Sequence, residues 1–146
     1  MSEELFDIIS QTLLWECASE KVEDPSELGE MLKDINYLDD KEEILEQITG
    51  ANIVSSESFD VTDINREGSE LCVTFEMPFI LSAEINGQPI WRISGEAAGI
   101  CTIPDSEIFD WRVYDFKRMS REELLSFSDI PKFQKMKYRV ECDTYY

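Results

Sequence analysis

The sequence predicts an α+β fold: a three-helix N-terminal layer packed on a curved antiparallel β-meander, with a late short helix and a C-terminal strand. Three observations predict it. Residues 71–103 alternate apolar and polar side chains on either side of Asn86-Gly87, as a long half-buried hairpin does. Helix-start signals precede apolar periodicity of helical spacing before and after that hairpin. A chain of 146 residues, 42% hydrophobic and 11% aromatic, also carries enough apolar surface for a sizeable core. One domain is expected, with residues 1–50 as the helical layer, 53–116 as the meander and 120–146 as the short helix plus final strand.

In residues 3–20, Leu5, Phe6, Ile8, Ile9, Leu13, Trp15 and Cys17 span a wide helical arc, with Glu3, Asp7, Ser10 and Gln11 on a narrower strip. So broad an arc implies a helix covered on two sides. It is the expected filler over Gly95 and Gly99. Asp24-Pro25-Ser26-Glu27 starts a second helix with an N-cap acceptor, proline in the first turn and a capping-box glutamate, followed by Leu28, Met31, Leu32 and Ile35. Asp40-Lys41-Glu42-Glu43 opens a third, which turns Ile44, Leu45 and Ile48 inward and is expected to close on a left-handed Gly50.

Ile53 and Val54 can begin a strand. A clearer one spans residues 59–64, ahead of an expected turn at Asn65-Arg66-Glu67-Gly68. In the central hairpin Val73, Phe75, Met77, Phe79, Leu81 and Ala83 share the odd face, and Trp91, Ile93, Ala97, Cys101 and Ile103 are odd on the return strand. Both odd faces are apolar, so they must coincide. That parity calls for an odd loop, Ile85-Asn86-Gly87, pairing Glu84 with Gln88. The resulting register sets Glu76 opposite Glu96, a like-charge pair that a slip, a bulge or a compensating cation would relieve. Gly95, Ala97 and Gly99 leave a thin place on the core side, open to curvature and close packing or to a ligand; Phe75 and Phe79 can cover it from the neighbouring strand.

Beyond Pro104-Asp105-Ser106, residues 108–116 alternate again, with Phe109, Trp111 and Val113 against Asp110 and Arg112, and read as a fourth meander strand. Ser120-Arg121-Glu122-Glu123 is a capping box for a short helix that ends before Pro131. Met136, Tyr138, Val140 and Cys142 then alternate with Lys137, Arg139, Glu141 and Asp143 in a last strand whose neighbour the sequence does not specify.

The net charge of −19 is the dominant feature. Residues 1–70 carry −16, residues 71–116 carry −5 and residues 117–146 carry +2. Such a field repels nucleic acid and anionic membranes and attracts basic protein surfaces. No histidine is present, which excludes Ser-His-Asp and Cys-His catalysis and imidazole metal ligands. Cys17, Cys72, Cys101 and Cys142 form no Cys-x-x-Cys pair and read as structural. No phosphate loop, cofactor motif or membrane-spanning apolar run occurs, and an acidic Met-Ser-Glu-Glu start leads to a cytoplasmic expectation.

Asp39, Asp40, Glu42, Glu43 and Glu46 crowd the start of the third helix despite i,i+4 repulsion, and mark the expected partner-binding face. The leading expectation is a non-enzymatic inhibitor or antidote, of the immunity or anti-CRISPR kind, docking carboxylates onto a basic nucleic-acid-processing enzyme. A second is an apolar ligand-binding or enzymatic pocket lined by Phe75, Phe79, Trp91 and Trp111. A third is a self-associating structural subunit that pairs through an end strand. Lys132, Lys135, Lys137 and Arg139 among Phe133, Tyr138, Tyr145 and Tyr146 resemble a single-strand nucleic-acid platform, but the total field opposes that use.

Overall fold

The computed structural model describes residues 10–32, 41–55, 58–105, 107–134 and 136–145. A π-helical turn, Ser10–Leu14, leads into α1 (Trp15–Val22), followed by α2 (Pro25–Leu32) and α3 (Lys41–Gln47). Strands β1 (Gly50–Ser55), β2 (Asp60–Glu67), β3 (Glu70–Ile85) and β4 (Gln88–Pro104) come next. Two 3-10 turns, Trp111–Val113 and Phe116–Arg118, precede α4 (Arg121–Leu125), β5 (Lys132–Phe133) and β6 (Lys137–Tyr145). The fold is α+β with a six-stranded antiparallel sheet: β1 and β2 pair with β3, and β5 and β6 pair with β4. The chain divides into two compact units, residues 1–18, 58–76 and 98–136 in one and residues 19–57, 77–97 and 137–146 in the other.

In the first unit, β2 and β3 form a hairpin whose partners run from Glu67↔Glu70 to Asp60↔Glu76. The loop is Gly68-Ser69, with Gly68 at φ 59, so the strand continues through the expected Asn65–Gly68 turn. Glycine at the first loop position supplies the left-handed φ that a two-residue hairpin needs. Leu71, Val73 and Phe75 are buried on the odd face, as alternation requires. Phe75 stacks on Phe59 with centroids 4.6 Å apart and meets Phe133 edge-on at 5.6 Å.

Residues 108–116 are not a strand. A strand would put Trp111 and Val113 on one face, yet Trp111 is 1% exposed and Val113 71%. The backbone closes on itself instead, Val113 N donating to Asp110 O and Tyr114 N to Trp111 O. Packing wins over periodicity here. Phe109 packs on Trp111 and Tyr114, and Phe127 packs against Tyr114 and Phe116, in a local aromatic cluster that a straight strand could not gather. Asp105 anchors the segment: its carboxylate accepts from Glu107 N and pairs with Arg66, while its carbonyl accepts from Ile108 N and Phe109 N. α4 carries the expected capping box, Ser120 Oγ accepting from Glu123 N and Glu123 Oε1 accepting from Ser120 N.

In the second unit, Asp24 caps α2, its Oδ1 accepting from Ser26 N at 2.8 Å and from Ser26 Oγ at 2.6 Å. These bonds favour the ionised carboxylate and hold its pKa below the ordinary value. Leu28, Met31 and Leu32 are buried, and α2 packs against α3 and β6. α3 ends earlier than expected. Gly50 is not its left-handed cap but the first residue of β1, opposite Glu84. Thr49 closes the helix: its N–H and hydroxyl both donate to Glu84 O, and the hydroxyl accepts from Asn86 N at 2.7 Å.

Asn86 and Gly87 both have positive φ, 51° and 79°, the mark of a two-residue type I′ loop rather than the expected three-residue form. Asparagine tolerates that region, and the I′ twist matches that of the strands. Leu81, Ala83, Trp91 and Ile93 are nevertheless all buried, as the coincidence of the two apolar odd faces requires.

The thin place on β4 is filled by side chains of β3 and by the C-terminal segment, while residues 3–9 of the expected first helix lie outside the described residues. A Cβ at Gly95 would lie 2.8 Å from Arg139 O and from Val140 Cγ1, and 3.1 Å from Phe79 Cζ; one at Gly99 would meet Phe75 Cζ at 3.4 Å and Met136 Cγ at 3.6 Å. Phe75 and Phe79 thus cover the glycines as the hairpin's alternation implies. β6 runs close over Gly95 because nothing larger than hydrogen stands in its way.

Candidate functional site

α3 is a short helix whose apolar side, Ile44 and Leu45, is half-buried while Glu42, Glu43 and Glu46 are exposed. Leu45 Cδ1 lies 3.9 Å from where a Cβ at Gly29 would sit, so α2 supports the helix from beneath. None of the three glutamates forms an ion pair with another described residue, and Glu42 stands one turn from Glu46. Asp39 and Asp40, the other two acids of the expected face, lie outside the described residues.

A second acidic surface, which the sequence reading did not single out, covers the outward face of the β2–β3 hairpin. Paired residues share a face, so the ladder places Glu67 with Glu70, Asn65 with Cys72, Asp63 with Thr74 and Asp60 with Glu76 on the side opposite Leu71, Val73 and Phe75. Five carboxylates thereby occupy one face of two strands. Two of the pairs are like charges directly opposite, each costing a few tenths of a kcal/mol or more. Arg66 points the other way, to Asp105 at 2.7 Å and Glu107 at 3.9 Å. The field is concentrated enough to act on Cys72, whose thiol pKa is raised by desolvation first and then by Glu67, Asp63 and Glu70. The signal for this face was present in the alternation of residues 63, 65 and 67, but it needed the Gly68-Ser69 loop to fix its parity.

Each of the two acids expected to oppose each other has a further charged neighbour. Glu76 is paired on β2 with Asp60, and Glu96 lies 3.5 Å from Arg139 Nη2. Arg139 is 86% exposed, so this ion pair contributes little.

Two aromatics of the basic C-terminal stretch, Phe133 and Tyr138, are engaged within the protein, and the side chains of Tyr145 and Tyr146 lie outside what is described. Phe133 packs against Phe75, and the Tyr138 hydroxyl donates to Glu27 Oε2 at 2.5 Å. Burial, then the hydrogen bond and charge of Glu27, push the Tyr138 pKa far above its ordinary value. Lys132, Lys137 and Arg139 are exposed, while Lys135 and Tyr146 lie outside the described residues.

Phe75, Phe79, Trp91 and Trp111 are all at most 3% exposed. They are not gathered in one place within either unit: Phe75 and Trp111 belong to the first, Phe79 and Trp91 to the second. Among the described residues Trp91 Nε1 is a buried donor without a hydrogen-bond partner, whereas Trp111 Nε1 donates to Pro104 O at 3.4 Å. Among the described residues, no three Cys, Asp or Glu come together as metal ligands, and no helix is long and apolar enough to cross a membrane. No protein-family model, curated protein or solved structure matches this chain.

Proposed function

We propose that the protein is a non-enzymatic inhibitor or antidote that lays its carboxylates on a basic surface of a nucleic-acid-processing enzyme. The observation that carries this reading is the set Glu42, Glu43 and Glu46, exposed on a supported helix and without ion pairs among the described residues. Asp39 and Asp40 extend the same run in sequence. Unpaired carboxylates on a fixed scaffold stand in for phosphates, steer a cationic partner and lose affinity as salt rises. The test is capture from host lysate at low salt with the wild type and with a Glu42→Gln, Glu43→Gln, Glu46→Gln variant. A basic enzyme retained by the first, lost from the second and displaced by added duplex DNA is the expected result. Retention insensitive to salt, substitution and DNA overturns it.

Trp91 favours a second reading, an apolar ligand site in the second unit. An indole N–H left without an acceptor costs about 1–3 kcal/mol, which a ligand oxygen would recover. Displacement of Trp91 fluorescence by a carbonyl-bearing apolar compound would support it. No response across a panel of such compounds would remove it.

A further inference from the structure

Strand β2 borders β3 along one side, and among the described residues its other side has no strand partner. All of its residues but Val61 and Ile64 are exposed, and apart from the ladder their bonds among the described residues are made by side chains: Asp60 with Ser58, Thr62 with Thr74 O, Asn65 with Asp63, and Arg66 with Asp105 and Glu107. β1 differs. There the amide of Ile53 donates to the Glu23 carboxylate at 2.9 Å, so a side chain from the turn between α1 and α2 occupies part of that edge. A bulge between Val61 and Asp63 interrupts β2, leaving Asp63–Glu67 as the regular stretch. Five residues of open edge extend about 17 Å and present backbone donors and acceptors to any chain that arrives extended.

Charge decides what can arrive. A strand added to this edge places its outward side chains beside Asp63, Asn65 and Glu67, on the face that also carries Glu70, Asp60 and Glu76. A second copy of β2, antiparallel about Asn65, would set Asp63 against Glu67 twice. Self-pairing is thereby opposed by the same groups that favour a cation. We infer that the β2 edge accepts, by strand addition, an extended segment of a protein partner bearing Lys or Arg at positions that flank Asp63 and Glu67. This rests on the reading of the protein as a binder of basic proteins and adds to it the backbone as a recognition element.

The probe is a short capped peptide with lysine at every second position and valine or threonine between, added to the 15N-labelled full chain at low salt. Alternate amides within residues 60–67 are expected to exchange at least tenfold more slowly at saturation. Asp63→Lys with Glu67→Lys should weaken the peptide at least tenfold, and methylation of the peptide's alternate backbone nitrogens should abolish binding at unchanged charge. Equal binding of the methylated peptide overturns strand addition. Perturbation confined to Glu42, Glu43 and Glu46 also overturns it while leaving the inhibitor reading intact, whereas strand addition with an α3 charge variant that still captures its partner removes the α3 docking face alone.

Discussion

The Tyr138 hydroxyl donates to Glu27 Oε2 across 111 residues of sequence, joining β6 to the first turn of α2. Bonds to a charged acceptor contribute more than neutral ones, and both groups here are partly buried. Tyr138→Phe is expected to cost about 1.5–3 kcal/mol in urea unfolding at neutral pH. The sign of the pH dependence follows from the raised folded pKa. The native state keeps the phenol proton that the unfolded chain releases near pH 10, so this contribution is complete below that pH and declines above it. Part of the alkaline loss of stability should therefore disappear in Tyr138→Phe; an unchanged alkaline limb would contradict the assignment.

The Asp105 side chain is 4% exposed and its charge is met by a half-exposed Arg66. Arg66→Ala leaves a buried carboxylate with fewer partners and should cost about 1–3 kcal/mol. Asp105→Ala should cost more, since it also releases Glu107 N and the turn that seats Trp111. A double-mutant cycle showing no coupling between the two positions would refute this account.

Gly95 and Gly99 should respond unequally to alanine. At Gly95 the added carbon would collide with a backbone oxygen, which cannot rotate aside, so about 1–3 kcal/mol or more is expected together with a weakened β6. At Gly99 the neighbours are side chains at ordinary or slightly tight distances. Gly99→Ala should stay within about 1 kcal/mol, measured by thermal unfolding, and equal losses at both sites would show that β6 does not run against Gly95.

Cys72 sits among carboxylates that disfavour its thiolate, so it should react slowly with a disulfide reagent near neutral pH. In a Cys142→Ser background, with Cys17 and Cys101 buried, the labelling rate should rise on Glu67→Gln with Asp63→Asn. A rate independent of those substitutions would mean that burial alone holds the thiol protonated.

Asp24 tests the helix start by acid. Its folded pKa lies below the unfolded value, so its contribution is present above about pH 4 and is lost as pH falls through the folded pKa. Asp24→Ala should cost about 1 kcal/mol at pH 7 and little at pH 2, as read from urea midpoints. A loss of equal size at both pH values would place the cap's value elsewhere than in its charge.

Much of the fold is legible in short stretches. The buried odd positions of residues 71–85 and 91–103, the N-cap at Asp24 and the capping box at Ser120 all follow from side chains within a turn or a strand period of one another. The exposure of Glu42, Glu43 and Glu46 follows from the same periodicity. Features that depend on distant partners were not legible. Trp111 and Val113 alternate like strand residues, yet aromatic packing with Phe109, Tyr114, Phe116 and Phe127 bends the segment into turns. The Asn65–Gly68 stretch looked like a turn until pairing with residues 70–73 carried β2 through it, and only then did Asp60, Asp63, Glu67, Glu70 and Glu76 fall on one face.

By itself, then, the sequence determined which residues alternate, where helices begin and how negative the chain is, because periodicity, capping and charge are local or additive quantities. Tertiary structure decided the loop at Asn86-Gly87, the seat of β6 over Gly95, the bond from Tyr138 to Glu27 and the open acidic edge of β2. Each of these is a competition between contacts far apart in the chain, and its outcome depends on which groups meet rather than on what their neighbours in sequence prefer.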